Sequence, residues 1–204
     1  MNVGAIQAAD WAGRKGKSGI DKRPVESARI EPLGLAGDEI SDLEHHGGEF
    51  QAVYAYAVED LAFWSAELGR TLAPGNAGEN LSLSGVDTQA LVIGQRLRIG
   101  TAVLRVTAPR IPCQVFAGFW DVRGLVKRFT VAGRTGAYFA VETPGEVRAG
   151  DVVETLSTPE HGVDIATVFD FVGRNNRDRV PELLPAVADF PPKVRGWVRD
   201  HAAV

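Results

Sequence analysis

Glycine and proline punctuate this chain along its whole length, at 23 and 11 of 204 residues, and that spread constrains the fold more than any single motif. Glycine weakens a helix through backbone entropy, and proline removes an amide donor and clashes with the preceding turn. The spacing therefore favours many short strands joined by turns over a few long helices. Alternating patterns supply the strands: residues 3–7, 25–30, 51–56, a strand, turn and strand over 90–108 with its turn at Gly94 and Gly100, 133–141, and 145–156. One segment breaks the rule. Over 58–68 the apolar positions Val58, Leu61, Ala62 and Leu68 follow helical spacing, widened by Phe63 and Trp64. A second helical stretch follows residue 113, with Phe116, Phe119, Trp120, Leu125, Val126 and Phe129. Beyond Pro159 and Gly162 the pattern turns to short helices over 165–173, 180–188 and 193–201. The expected fold class is thus mainly β with some α, a β domain over 1–158 carrying a small helical extension over 159–204.

Charge narrows the partners. A net charge of −4 supplies no electrostatic attraction to nucleic acid or to an anionic membrane, so the basic residues that matter should act locally. No apolar run reaches the roughly 18–20 residues of a membrane span, and residues 1–9 lack a basic stretch followed by an apolar one. A single cysteine, Cys113, permits no intrachain disulfide and fits a reducing compartment. A cytoplasmic protein is expected.

That cysteine closes the segment Pro109-Arg110-Ile111-Pro112-Cys113, just past the alternating run that ends at Ala108. The prolines hold the backbone extended, and Arg110 is positioned to lower the thiol pKa. A thiolate there could act as a nucleophile or ligate a metal, while a small buried hydrophobe is the competing account of a lone cysteine. Lys22 and Arg23, followed by Pro24, would suit an anionic ligand such as a phosphate. Arg14, Lys15 and Lys17 in the polar stretch 10–18 read instead as solvated charge. His45 and His46 sit beside Gly47 and Gly48, where backbone can approach a ligand, and Asp42 and Glu44 nearby permit a metal site without the spacing of a recognised zinc motif. Glu79 and Asn80 follow Gly75 and Gly78, where they could bond a heterocycle or stitch two loops together.

Taken in order, Gly-Ile-Asp-Lys-Arg-Pro-Val at 19–25, Gly-Leu-Ala-Gly-Asp at 34–38, His-His-Gly-Gly at 45–48, Gly-Glu-Asn-Leu at 78–81, Pro-Arg-Ile-Pro-Cys at 109–113 and Gly-Ala-Tyr at 136–138 form a set that resembles the MOSC domain, named for the C-terminal domain of molybdenum cofactor sulfurase, and within it the stand-alone YiiM-like branch. The resemblance spans about residues 1–156 and implies a β-barrel-like domain followed by a three-helix extension. It further implies a molybdenum cofactor (molybdopterin), with Cys113 as metal ligand and catalytic residue. Lys22, Arg23 and Arg110 are then candidates for the cofactor's phosphate, and His46, Glu79 and Asn80 line the site or hold its loops. The implied activity is reduction of N-hydroxylated compounds such as hydroxylamino bases or amidoximes, with electrons from partner proteins. The alternative is a persulfide or cofactor carrier that does not turn over. Homodimerisation is left open. Two departures, Ala77 where relatives often carry an aromatic and Ala140 where arginine is common, bear on substrate preference and on one anion contact.

Overall fold

The computed structural model describes residues 1–202. Where the pattern suggests one strand over 3–7, there are two short ones, β1 (Asn2–Val3) and β2 (Gln7–Ala8), which pair with β4 (Arg23–Pro24) and β3 (Lys17–Ser18) respectively. The break between β1 and β2 has a steric cause. A Cβ on Gly4 would sit 2.5 Å from the Gly19 carbonyl oxygen, so the chain crosses itself there only because residue 4 has no side chain. Residues 10–15 form 3-10 turns rather than an open loop. The strands β5 (Ser27–Glu31) and β6 (Gly34–Leu35) then form a hairpin that a later strand completes as a small antiparallel sheet.

The main sheet begins with β7 (Val53–Ala57), buried at every position. Helix α1 (Val58–Leu68) follows directly, over the residues its periodicity predicts, and ends at Gly69 in the left-handed region. As a crossover, α1 makes the pairing of β7 with β8 (Leu81–Leu83) parallel. The hairpin of β9 (Arg96–Ile99) and β10 (Ala102–Pro109) comes next, then helices α2 (Gln114–Trp120) and α3 (Leu125–Ala132). These last two were expected as a single helical stretch, but Asp121 adopts a left-handed conformation and ends the first. The strands β11 (Ala137–Thr143), β12 (Gly145–Arg148) and β13 (Val153–Ser157) complete two sheets, ordered β13-β9-β10-β11-β7-β8 and β12-β5-β6. The mixed main sheet curls into a half-barrel, as the fold class expected.

The extension consists of α4 (Ile165–Val172), α5 (Val180–Leu183) and α6 (Pro192–Ala202). After α5 the chain tightens into a 3-10 turn over Leu184–Ala186 instead of running helically to residue 188, because Pro185 has no amide to donate. Val168, Phe171, Leu183, Phe190 and Val198 join Leu97, Leu104 and Val106 in one apolar cluster. Residue 158 therefore marks a change of secondary structure, and the core runs across it. A second cluster, built on Trp64, Trp120, Phe116, Phe129 and Tyr56, fills the other side of β7, where α1, α2 and α3 converge. Among the described residues no helix is long and apolar enough to cross a membrane.

Candidate functional site

Strand β10 delivers the segment that holds the cysteine. Pro109 is the last residue in register with β11, opposite Ala137, and beyond it the chain leaves the sheet. Cys113 keeps an extended conformation as the residue that caps the N-terminus of α2, half-buried at the edge of a cavity between the main sheet and the N-terminal loops. Burial alone would push its thiol pKa up. A hydrogen bond from His46, the positive charge of Arg110 and the Phe116 backbone amide outweigh that, and the net value falls to about 7. A large fraction of this thiol is therefore thiolate at neutral pH.

Arg110 acts on Cys113 from inside the protein. Its guanidinium is buried, lies 3.8 Å from the centre of the Phe116 ring and 5.3 Å from that of Tyr54, and donates from Nη1 to the Ala77 carbonyl at 3.1 Å. Lys22, also buried, pairs with Asp38. Burial lowers the pKa of Lys22, with the Asp38 carboxylate opposing that shift. Asp38 has two further partners, the Gly4 amide and the Asn80 side-chain amide, each at 2.8 Å. Asn80 in turn accepts from the Tyr54 amide at 3.1 Å, so one side chain ties β7 to the 34–38 turn.

Glu79 is fully buried and accepts from the Gly75 amide (2.6 Å), the Ala77 amide (2.9 Å) and the Ser82 hydroxyl (2.7 Å). Of the two roles open to it in the sequence, the structure shows the stitching of a loop. Burial raises its pKa, and those bonds oppose the rise. The turn that it closes needs Gly78, which has a φ of 75° and whose Cβ would meet Ile20 at 2.7 Å.

The cations fall differently from the sequence reading. Arg23 is exposed, bonds Asp21 at 2.7 Å and does not line the cavity, because β4 turns its side chain outward next to Pro24. Lys22 and Arg110 do line it. So do Lys15 and Lys17, which the sequence marks as solvated, because the pairing of β2 with β3 folds that loop over the cavity mouth. Lys15 bonds Asp42 at 2.9 Å, whereas Lys17 is exposed and makes no ion pair among the described residues. Periodicity could not signal this, since strands of two residues have no pattern to read.

The carboxylates around the cavity are already engaged: Asp38 as above, Glu39 by the Ile6 amide at 2.6 Å, and Asp42 by Lys15 and by His45 at 3.1 Å. Asp42, Glu44 and His45 do lie close enough to share an ion, but Glu44 and His45 are exposed and the Lys15 ammonium already occupies Asp42. His46, the fourth residue of that sequence-based grouping, turns instead to the cavity and Cys113. Tyr138 and Gln51 also line the cavity and escaped the sequence reading as site residues, although Tyr138 closes one of the quoted motifs. Burial holds the Tyr138 phenol above its usual pKa, opposed by Arg110, so it stays protonated. In chemical terms the cavity offers a soft thiolate, a fixed cationic field behind it, a neutral phenol and a free ammonium at the mouth.

Comparison with known proteins gives the family and the fold. The MOSC domain family model matches residues 42–154. The chain is 36% identical over 191 residues to the uncharacterized protein YflK of Bacillus subtilis, covering 92% of this chain and 86% of that one. It is 32% identical over 132 residues to the protein YiiM of Escherichia coli, covering 63% of this chain and 58% of the relative. Among solved structures, YiiM from Geobacillus stearothermophilus superposes with a TM-score of 0.80 at 23% identity, covering 98% of this chain and 96% of that one. YiiM from Escherichia coli does so with a TM-score of 0.73 at 24% identity, over 86% and 85% of the two chains.

Proposed function

This chain belongs to the MOSC domain family, and from that premise we propose that it is an oxidoreductase that holds a molybdenum cofactor through Cys113 and reduces N-hydroxylated compounds such as hydroxylamino bases or amidoximes. The observation that carries the reading is the half-buried Cys113 at the cavity edge with the buried Arg110 guanidinium lining the same cavity. The donor set fits the group. A thiolate is a soft ligand suited to a metal already bound by sulfur, and with the cavity's acids engaged by neighbours, Lys17 is left to meet an anion.

Cys113 would hold the metal, and Lys17, with Lys15 beside it, would hold the cofactor's phosphate end, with Lys22 and Arg110 contributing charge from the wall. Arg23 has no part in this site. When bound, the cofactor would supply the two electrons that break the N–O bond, a reaction that also consumes two protons and yields water with the amine, or the amidine from an amidoxime. His46 and Arg110 favour the thiolate of Cys113, and Tyr138 is a neutral proton donor within the same cavity. The electrons come from partner proteins, since one cysteine cannot ligate an iron–sulfur cluster.

Molybdenum content tests the proposal, measured on protein purified from a host that makes the cofactor. Stoichiometric metal in the wild type and its loss in Cys113→Ser are expected. Absence of metal in the wild type, or equal metal in the variant, would sink the reading. Intact mass on the same sample identifies the carrier alternative: a labile addition of one sulfur at Cys113, with no reduction when an electron donor is supplied.

A further inference from the structure

Glu79 is fully buried behind the cavity and does not line it, yet its hydrogen bonds lead to both ends of the segment that carries Cys113. The path runs through two consecutive peptide groups. The Ala77 amide donates to the Glu79 carboxylate at 2.9 Å, and the carbonyl of that same peptide group, on Asn76, accepts from Trp120 Nε1 at 2.6 Å. In the next peptide group the Gly78 amide donates to the Gly75 carbonyl at 2.9 Å, and the Ala77 carbonyl accepts from Arg110 Nη1 at 3.1 Å. The Gly75 amide in turn donates to Glu79 at 2.6 Å. Arg110 stands three residues before Cys113, and Trp120 ends the helix that Cys113 caps. Between them lies Phe116, whose ring centre is 3.8 Å from the Arg110 guanidinium and 4.6 Å from the ring centre of Trp120. Arg110, Phe116, Trp120 and the carbonyls of Asn76 and Ala77 thus close a circuit of contacts. Cys113 sits on the chain between Arg110 and Phe116, and Glu79 anchors the circuit from below.

We infer that Glu79 is a positioning residue for Cys113: it fixes the two carbonyls that grip Trp120 and Arg110, and so holds the Arg110 charge against the thiol. Both of its oxygens accept, Oε1 from two donors and Oε2 from a third, which suits the ionised acid and which a carboxamide, with one oxygen, cannot match. Bonds from amides to a carboxylate are charge-assisted, and a chain of hydrogen bonds polarises along its length. Removing the charge on Glu79 therefore weakens the far grip on Trp120 as well as the near one on the turn. Because Glu79 does not line the cavity, its effect on Cys113 passes through Arg110 and the helix. The inference concerns the thiol itself and does not depend on what Cys113 holds.

Alkylation of Cys113 by iodoacetamide, timed at pH 7 on cofactor-free full-length protein, tests it, because the chain has one thiol. Arg110→Met should slow the reaction about tenfold, the scale of one net interaction with a charged group, and Glu79→Gln about threefold, as a part of the same effect. In the Arg110→Met background, adding Glu79→Gln should change nothing further, since residues that act through one another are non-additive. A purely structural role predicts the opposite sign, because loosening the fold uncovers a half-buried thiol and speeds its alkylation. Ser82→Ala serves as the control. It removes one donor from Glu79 without touching the two gripping carbonyls, and should leave alkylation at the wild-type rate. Should Glu79→Gln fail to fold, Trp120→Phe takes its place: it removes the indole N–H from the Asn76 carbonyl, and the same slowing and the same non-additivity are expected. The inference is overturned by a rate in the anchor variant equal to or above that of the wild type, by the same slowing with and without Arg110, or by a Ser82→Ala variant as slow as the anchor variant. None of these readouts involves molybdenum, so failure of metal binding would count against the proposed reductase and leave the role of Glu79 to stand or fall on its own measurements.

Discussion

Two walls of one cavity use their polar residues to opposite ends. On one wall, Lys22, Asp38 and Asn80 are tied to each other and to backbone amides, and behind them the buried Glu79 holds the glycine-rich turn. On the other, Cys113 and Lys17 retain a thiol near neutral pKa and, among the described residues, an ammonium without an ion pair. The first wall is scaffold, because its polar groups spend their bonding capacity on holding loops 19–25, 34–38 and 75–81 together. The second is where capacity remains for a ligand. Polar residues in motifs thus divide by whether their partners lie within the protein.

Variants on the two walls should separate accordingly, in stability on one side and in ligand-linked behaviour on the other. The largest effect is expected from the buried ion pair. Asp38→Ala leaves the Lys22 ammonium uncompensated and should cost about 3–5 kcal/mol in denaturant unfolding, the range for breaking a buried pair. If the loss is below about 1 kcal/mol, this wall is not the scaffold described here.

Lys17→Ala should keep its unfolding midpoint and lose about ten- to a hundredfold in affinity for the cofactor, equivalent to a charge-assisted hydrogen bond of roughly 1.5–3 kcal/mol. Retention of cofactor measured beside the melting temperature checks it. Equal retention in Lys17→Ala and the wild type would remove that residue from the second wall.

The thiol offers a pH test. With a pKa of about 7, Cys113 should react with iodoacetamide along a titration centred there, falling as pH drops below 7 because the thiolate takes up a proton. His46→Ala removes the hydrogen bond that favours the thiolate, which moves the curve to higher pH. A full return to the roughly 8.5 of a free cysteine would lower the thiolate fraction at pH 7 by about fifteenfold and slow the reaction accordingly. A curve unmoved by His46→Ala would show that Arg110 and the helix amide suffice.

Arg23→Ala should do least. Its exposed pairing with Asp21 predicts a change within about 0.5 kcal/mol in stability and no loss of cofactor. Cofactor loss in this variant would return Arg23 to the site and would blur the contrast between the walls.

Much of this molecule is legible in its residue order. The helix over Val58–Leu68 is announced by its own periodicity, the β9–β10 hairpin by alternation around glycine, and the exit of Cys113 from the sheet by Pro109. These signals are local, and local backbone preference suffices to read them. The break of helix after Trp120 and the two-residue strands near the N-terminus were not legible, because each depends on a contact or conformation that no short window records.

The site divides along the same line. The sequence by itself determined its chemistry: one thiol and no disulfide, an arginine three residues before it, two histidines beside glycines, and acids and amides in glycine-rich turns. Only the tertiary structure decided which of these have capacity left over. It paired Lys22 with Asp38, sent Arg23 to solvent, and brought Lys17 to the cavity that holds Cys113. The physical reason is that a polar side chain's role follows from its hydrogen-bond partners and burial, and both are set by segments far apart in the chain, such as residues 17, 38, 51, 80 and 113, which no spacing along the sequence relates.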